Sequence, residues 1–205
     1  MKQALDDIEA LGVRYLERAL ELDPNLTVAK AILVRLKLPE QPTEADRLAN
    51  RAHADYMRAE ATEYYKKDTA AGKEQRDEAK TRAEAALKMA AAHPQDAAYS
   101  AAIMTAHQVL ATVALRDGAR ERALHHLRES VNVPTSEQLQ YAPPFSWMRP
   151  VNRLLKEGER DAVVEFLEAF AQLTLMERDR LLQDAKAIRE GRMPASYQHM
   201  VARER

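Results

Sequence analysis

The residues best suited to chemistry are the six histidines, His53, His93, His107, His125, His126 and His199. No H-E-x-x-H pattern is present, and no Glu-x-x-His pair of the kind that builds a di-iron bundle. Glu121, His125 and Glu129 recur at steps of four, so on a helix they share one stripe. With His107 from a preceding helix they could approach a metal. The simpler reading is an exposed charge ladder, worth a few tenths of a kcal/mol per pair, and no metal or cofactor is expected. Of the adjacent pair, His126 is the one expected to lie near the hairpin partner, as a structural residue. The chain has no cysteine, which removes thiolate nucleophiles, disulfides and thiolate zinc sites. No Gly-rich phosphate loop and no G-x-S-x-G elbow occurs, and Ser100, Ser130, Ser136, Ser146 and Ser196 lack the neighbours of a nucleophile. The expectation is a protein that is not an enzyme.

Binding chemistry is read from two other places. Val131 to Val151 holds four of the nine prolines, the only Trp, and Tyr141 and Phe145. Trp147 and its neighbours either tuck into the core or form the aromatic wall of a groove, since aromatics bury much area at small entropic cost. Arg116, Arg120, Arg122 and Arg128 gather on one segment, interleaved with Glu121 and Glu129. They support a nucleic-acid-linked module only as an alternative. With 31 Lys+Arg against 32 Asp+Glu the net charge is −1, and there is no basic excess.

Helices must position these groups. The 205-residue chain is rich in Ala, Leu, Glu, Lys and Arg, and no segment alternates in the manner of a strand. Leu5, Ile8, Leu11, Tyr15, Leu16, Ala19 and Leu22 make one helical face, predicting a helix over 4–22 that ends at Asp23-Pro24. A second is expected over 26–37. Thr43 and Asp46 have capping-box spacing and open a long helix over 43–71 with Gly72 as its C-cap. Further helices are expected over 73–93, from Asp96 to Asp117, over 119–131, on both sides of Gly158, and up to Gly191. Residues 132–148 are read as an irregular link, with Pro150 near a helix start. The charged run 66–82 is read as a solvated tip.

Short connections point to stacked helical hairpins. The string Ala19-Leu20-Glu21-Leu22-Asp23-Pro24 resembles the end of a tetratricopeptide repeat. A second match centres on Gly118, with Ala123, Leu127 and Ser130 at the small, large and small packing positions of the second helix. A third centres on Gly158, with Val163, Leu167 and Phe170 in those places. The two glycines stand 40 residues apart, against a repeat of about 34, and the link absorbs the difference. Residues 39–93 fit the pattern poorly. Residues 96–197 are also similar to uncharacterised bacterial proteins of this type, through Leu154-Leu155-Lys156-Glu157-Gly158-Glu159-Arg160 and the ending Ala187-Ile188, Gly191 and Pro194.

The resemblance implies an all-α, right-handed superhelix of stacked antiparallel hairpins over 1–205. It comprises degenerate helices over 1–94, two better-defined hairpins over 95–197 and a tail over 198–205. It implies a scaffold that binds a protein or peptide. The groove it implies places Thr105, Gln108, Thr112 and Arg116 on one inner helix and Met148, Asn152 and Lys156 on the next, with Trp147 beside them. Repeat stacks without polar end caps pair through their ends, so a homodimer is expected as an option, as is an accessory domain of a larger protein. The first residues show no apolar signal core, and no run of 18 uninterrupted apolar residues occurs. No membrane association is expected, and a cytoplasmic location follows by default.

Overall fold

The computed structural model describes residues 2–26, 28–30, 32–33, 43–93, 96–141, 149–194 and 197, with side chains for all of these except 2–10, 137, 141 and 149. The fold is all-α, about 80% helical, with no strand among the described residues. The helices are α1 (Lys2–Leu22), α2 (Glu44–Lys66), α3 (Thr69–Ala90), α4 (Ser100–Arg116), α5 (Arg120–Glu129), α6 (Glu137–Tyr141), α7 (Arg149–Lys156), α8 (Arg160–Leu173) and α9 (Arg178–Arg189). Residues 28–30 and 32–33 are also helical.

The helix boundaries follow local chemistry. Thr43 Oγ1 accepts from the Asp46 N–H at 3.0 Å, and the Asp46 carboxylate accepts from the Thr43 N–H at 3.1 Å, so two donors at the start of α2 are satisfied reciprocally. The end of α2 differs from the expectation. The break falls at Lys67, which adopts a left-handed φ of 55°, and Asp68 then caps α3 by accepting from the Ala71 N–H at 3.0 Å. Gly72 is therefore not a C-cap but a buried residue in the first turns of α3. A methyl group there would overlap the side chain of Glu63 on α2, so the glycine serves close approach.

Three other glycines do end helices. Gly118, Gly158 and Gly191 have φ of 72°, 90° and 79°. The residue after each donates to the carbonyl five positions back: Ala119 to Ala114 at 2.8 Å, Glu159 to Leu154 at 2.9 Å, Arg192 to Ala187 at 2.8 Å. This is the Schellman turn, made three times with one geometry.

Two clusters form the core, and α4 belongs to both. Ala45, Ala49, Ala52 and Tyr56 of α2 meet Ala79, Ala83 and Ala86 of α3 in an alanine seam that brings the backbones close. Ala102, Ala106, Val109, Leu110 and Val113 of α4 close that cluster. The other side of α4, including Met104 and Leu115, packs with Leu127, Leu154, Leu167, Phe170, Leu181 and Tyr197. Ala123, Leu127, Ser130, Val163, Leu167 and Phe170 are all completely buried. The link after α5 is not wholly irregular. It carries α6, whose Leu139 is fully buried and whose Gln140 carbonyl accepts from the Leu175 N–H at 2.9 Å. Pro150 stands in the first turn of α7, where a missing N–H costs nothing.

Residues 97–116 are long and apolar enough to cross a membrane by length and composition, and most of that stretch is buried inside the fold. Serving two core clusters at once is the reason for its apolar character. At the other extreme, Leu11, Tyr15 and Leu22 of α1 are exposed, while Val13, Leu16, Ala19 and Leu20 on its other side are half-buried.

Candidate functional site

The expected groove residues do not share an open surface. Thr105, Gln108 and Thr112 are 8%, 3% and 8% exposed. Their expected position on a solvated inner face is corrected by the place of α4, which has 14 of its 17 residues buried between the two clusters. Their polar groups are turned to the fold: Thr112 Oγ1 donates to the Gln108 carbonyl at 2.7 Å, and Gln108 Nε2 donates to Ser130 Oγ at 2.9 Å. Arg116, partly exposed, pairs with Glu63 of α2. Asn152 is half-buried and Lys156 exposed on α7. Trp147 and Met148 lie outside the described residues, as do Phe145 and the side chain of Tyr141.

The α4–α5 seam holds the most unusual polar contact. His107 Nδ1 and His126 Nδ1 lie 3.0 Å apart, with ring centroids at 5.2 Å. At that distance one ring donates its Nδ1–H and the other accepts. Burial, followed by the neighbouring His126 and His125, depresses the His107 pKa to about 4. Burial also lowers that of His126, helped by His125 and Arg122 and opposed by Glu129. Both rings are therefore neutral at neutral pH. A base so depressed is poorly matched to proton transfer near pH 7. His126 was expected to face the hairpin partner and does. His125, on the exposed stripe with Glu121, does not join a ligand cluster; no group of three or more His, Asp or Glu that could hold a metal occurs among the described residues.

Beside His126 is a cleft of about 80 Å³, lined also by Lys80 and Glu84 of α3, Leu110, Val113, Ala114, Asp117 and Arg122. It is room for a few waters and far below the roughly 300 Å³ from which ligand pockets begin. A trough of about 560 Å³ runs along α3 over Ala70, Lys73, Glu74, Asp77, Glu78, Thr81 and Arg82. Its described lining is one stripe of one helix, so no groups converge there from different elements.

The arginines expected to mark an anionic partner are largely engaged. Arg116 pairs with Glu63, Arg120 with Glu159, and Arg128 Nε lies 3.5 Å from Glu165. Glu63 also pairs with Arg76 of α3, so one half-buried carboxylate ties α2, α3 and α4 together above Gly72. Sequence reasoning missed this hub. Its partners are 13 and 53 residues away, and only the tertiary register brings them together.

What sequence reasoning also missed is the exposed apolar row at the start of the chain. Leu11, Tyr15 and Leu22 are 49%, 70% and 75% exposed, and Leu26, Val28 and Ile32, past the turn that ends α1, are exposed as well. Periodicity reports an apolar face but not whether anything covers it. The chain matches no protein-family model, and no curated protein or solved structure is similar enough to be a match.

Proposed function

We propose that this chain is a non-catalytic, protein-binding scaffold of the tetratricopeptide-like type, and that its contact surface is the side of α1 that carries Leu11, Tyr15 and Leu22. The observation that carries the reading is the exposure of Leu11, Tyr15 and Leu22 along one side of α1, while most of the buried apolar side chains gather in two clusters to which α1 contributes none. Contiguous exposed apolar side chains mark interaction sites in otherwise well-packed proteins. The occupant is an amphipathic helix of a protein partner, laying its apolar stripe against Leu11, Tyr15 and Leu22.

Several observations support the stacked-hairpin architecture. Along α2 and α3, Glu63 meets Arg76 while Asp55 meets Arg82, so partners ascend on one helix as they descend on the other, as antiparallel neighbours do. The Gly118 and Gly158 pairs meet like with like: α4 packs on α7, and α5 on α8 through Arg120–Glu159 and Arg128–Glu165. The non-catalytic reading is supported by the depressed His107 and the small volume of the cleft. The nucleic-acid alternative loses support because three of its four arginines are already paired with carboxylates.

The test is photo-crosslinking in cells with the reactive residue at position 15, 22 or, as control, at exposed Glu121. Crosslinks to one defined protein from 15 and 22, but not from 121, are expected. Crosslinks equal at all three positions, or joining only copies of this chain, would overturn the proposed occupant. Small-molecule turnover by the purified protein would overturn the non-catalytic reading.

A further inference from the structure

The His107–His126 contact lies apart from the surface proposed above and has no part in that reading. It is a direct imidazole–imidazole hydrogen bond, 3.0 Å between Nδ1 atoms, across the seam of a helical hairpin. We infer that this pair is an acid-sensitive latch: it closes the α4–α5 seam while the two rings carry at most one proton beyond neutrality and releases it when they carry two.

The proton accounting gives that threshold. In the neutral pair one ring, the donor, holds its proton on Nδ1 and leaves Nε2 free. The acceptor ring holds its proton on Nε2 and offers the Nδ1 lone pair. A first added proton goes to the donor's free Nε2. The Nδ1–H···Nδ1 bond survives and becomes charge-assisted. The second can go only to the acceptor's Nδ1. Two N–H groups then face each other at 3.0 Å, the hydrogen bond is gone, and two like charges meet in a half-buried seam. Two sites so close titrate as a pair in two macroscopic steps.

The surrounding charges favour release over accommodation. On α5, His125 lies 5.4 Å from His126 between ring centroids, and Arg122 adds a fixed positive charge, opposed by Glu129. From α3, Lys80 and Glu84 face the cleft beside His126, and Asp117 closes it from the end of α4. Of the carboxylates, Glu129 is the one that opposes the lowering of His126, and at His107 burial and the neighbouring imidazoles prevail. The surroundings therefore hold His107 near a pKa of 4 and His126 below its ordinary value. The α4–α5 joint is where such a charge does most, because α4 is the helix both clusters share. Release of α5 would uncover Leu124 and Leu127, now 7% and 0% exposed.

The test follows imidazole nitrogens by NMR on the full chain from pH 8 to pH 3, together with amide exchange. Expected are a scalar coupling between the Nδ1 atoms of His107 and His126 that persists through the first protonation, and its loss in a second step below it. On the approach to that second step, below pH 6.5, the amide protection of α5 should fall by up to about tenfold per pH unit. Independent titration of both rings near the ordinary histidine value, or unchanged α5 protection after the second proton, would overturn the latch. So would stoichiometric Zn²⁺ binding that shifts both Nδ1 atoms, because the pair would then be a chelate. His107→Gln and His126→Gln should each flatten the pH dependence of α5 protection; if either fails to fold, the wild-type coupling and exchange data still decide.

Discussion

Histidine and glycine carry the sharpest single-residue consequences. His107 has a folded pKa of about 4 against an ordinary 6.5, so the unfolded chain takes up its proton first as pH falls. Its neutrality contributes stability that is complete above pH 6.5 and is lost as pH drops from there to about 4. The difference amounts to roughly 3 kcal/mol, and His126 acts in the same direction. Urea denaturation at pH 7 and pH 4.5 should show the loss in wild type and a much smaller one in His107→Gln. At Gly72, helix propensity alone would make alanine stabilising by about 1 kcal/mol. The overlap with Glu63, pinned by Arg76 and Arg116, reverses the sign. Gly72→Ala is expected to destabilise by about 1–2 kcal/mol, read from the urea midpoint. Gly72 was legible in the sequence only as a helix breaker. Its role as a contact position depends on a residue of the neighbouring helix.

At the scale of elements, composition and position separate the two halves of the fold. The α2–α3 pair is joined by two residues and packed through alanines, with Asp55–Arg82 and Glu63–Arg76 pairs along its flank. Such a seam has no room to spare. Ala83→Leu should cost at least 1–3 kcal/mol and raise amide exchange in both helices, because the added methylenes must separate the backbones. The helices around Gly118 and Gly158 instead use Leu, Val and Phe, and the glycine turns between them were readable from the sequence, while the helix before Gly118 begins at Ser100 rather than at Asp96. A glycine at the turn, followed by small and large residues at helical steps, specifies each of these turns. The break between α2 and α3 was misplaced because Gly72 is the conspicuous residue. The actual stop, Lys67 in a left-handed conformation followed by the Asp68 cap, uses residue types common throughout the chain. The link helix α6 went unread for a related reason: five residues make too short a period, and it is held by Leu139 and the Gln140 carbonyl docking on the end of α8.

Over the whole molecule, the contrast is between a central helix shared by both clusters and a first helix that leaves Leu11, Tyr15 and Leu22 exposed. Tyr15→Ser and Leu22→Ser should leave stability within about 0.5 kcal/mol, since these side chains are exposed, while removing the partner crosslinks expected at that surface. A stability loss of several kcal/mol would instead place them in a core. Readable from the residues alone were the helical class, the end of α1, the capped start of α2, and the turns at Gly118, Gly158 and Gly191. Those follow from local capping, left-handed backbone freedom and 3.6-residue periodicity, all properties of neighbouring residues. Which faces stay open follows from how the helices pack. Thr105, Gln108 and Thr112 have the polarity of a surface and are buried; Leu11, Tyr15 and Leu22 have the polarity of a core and are exposed. Polarity along a helix names a face, but burial depends on what packs against that face, and here the neighbours come from segments many residues away.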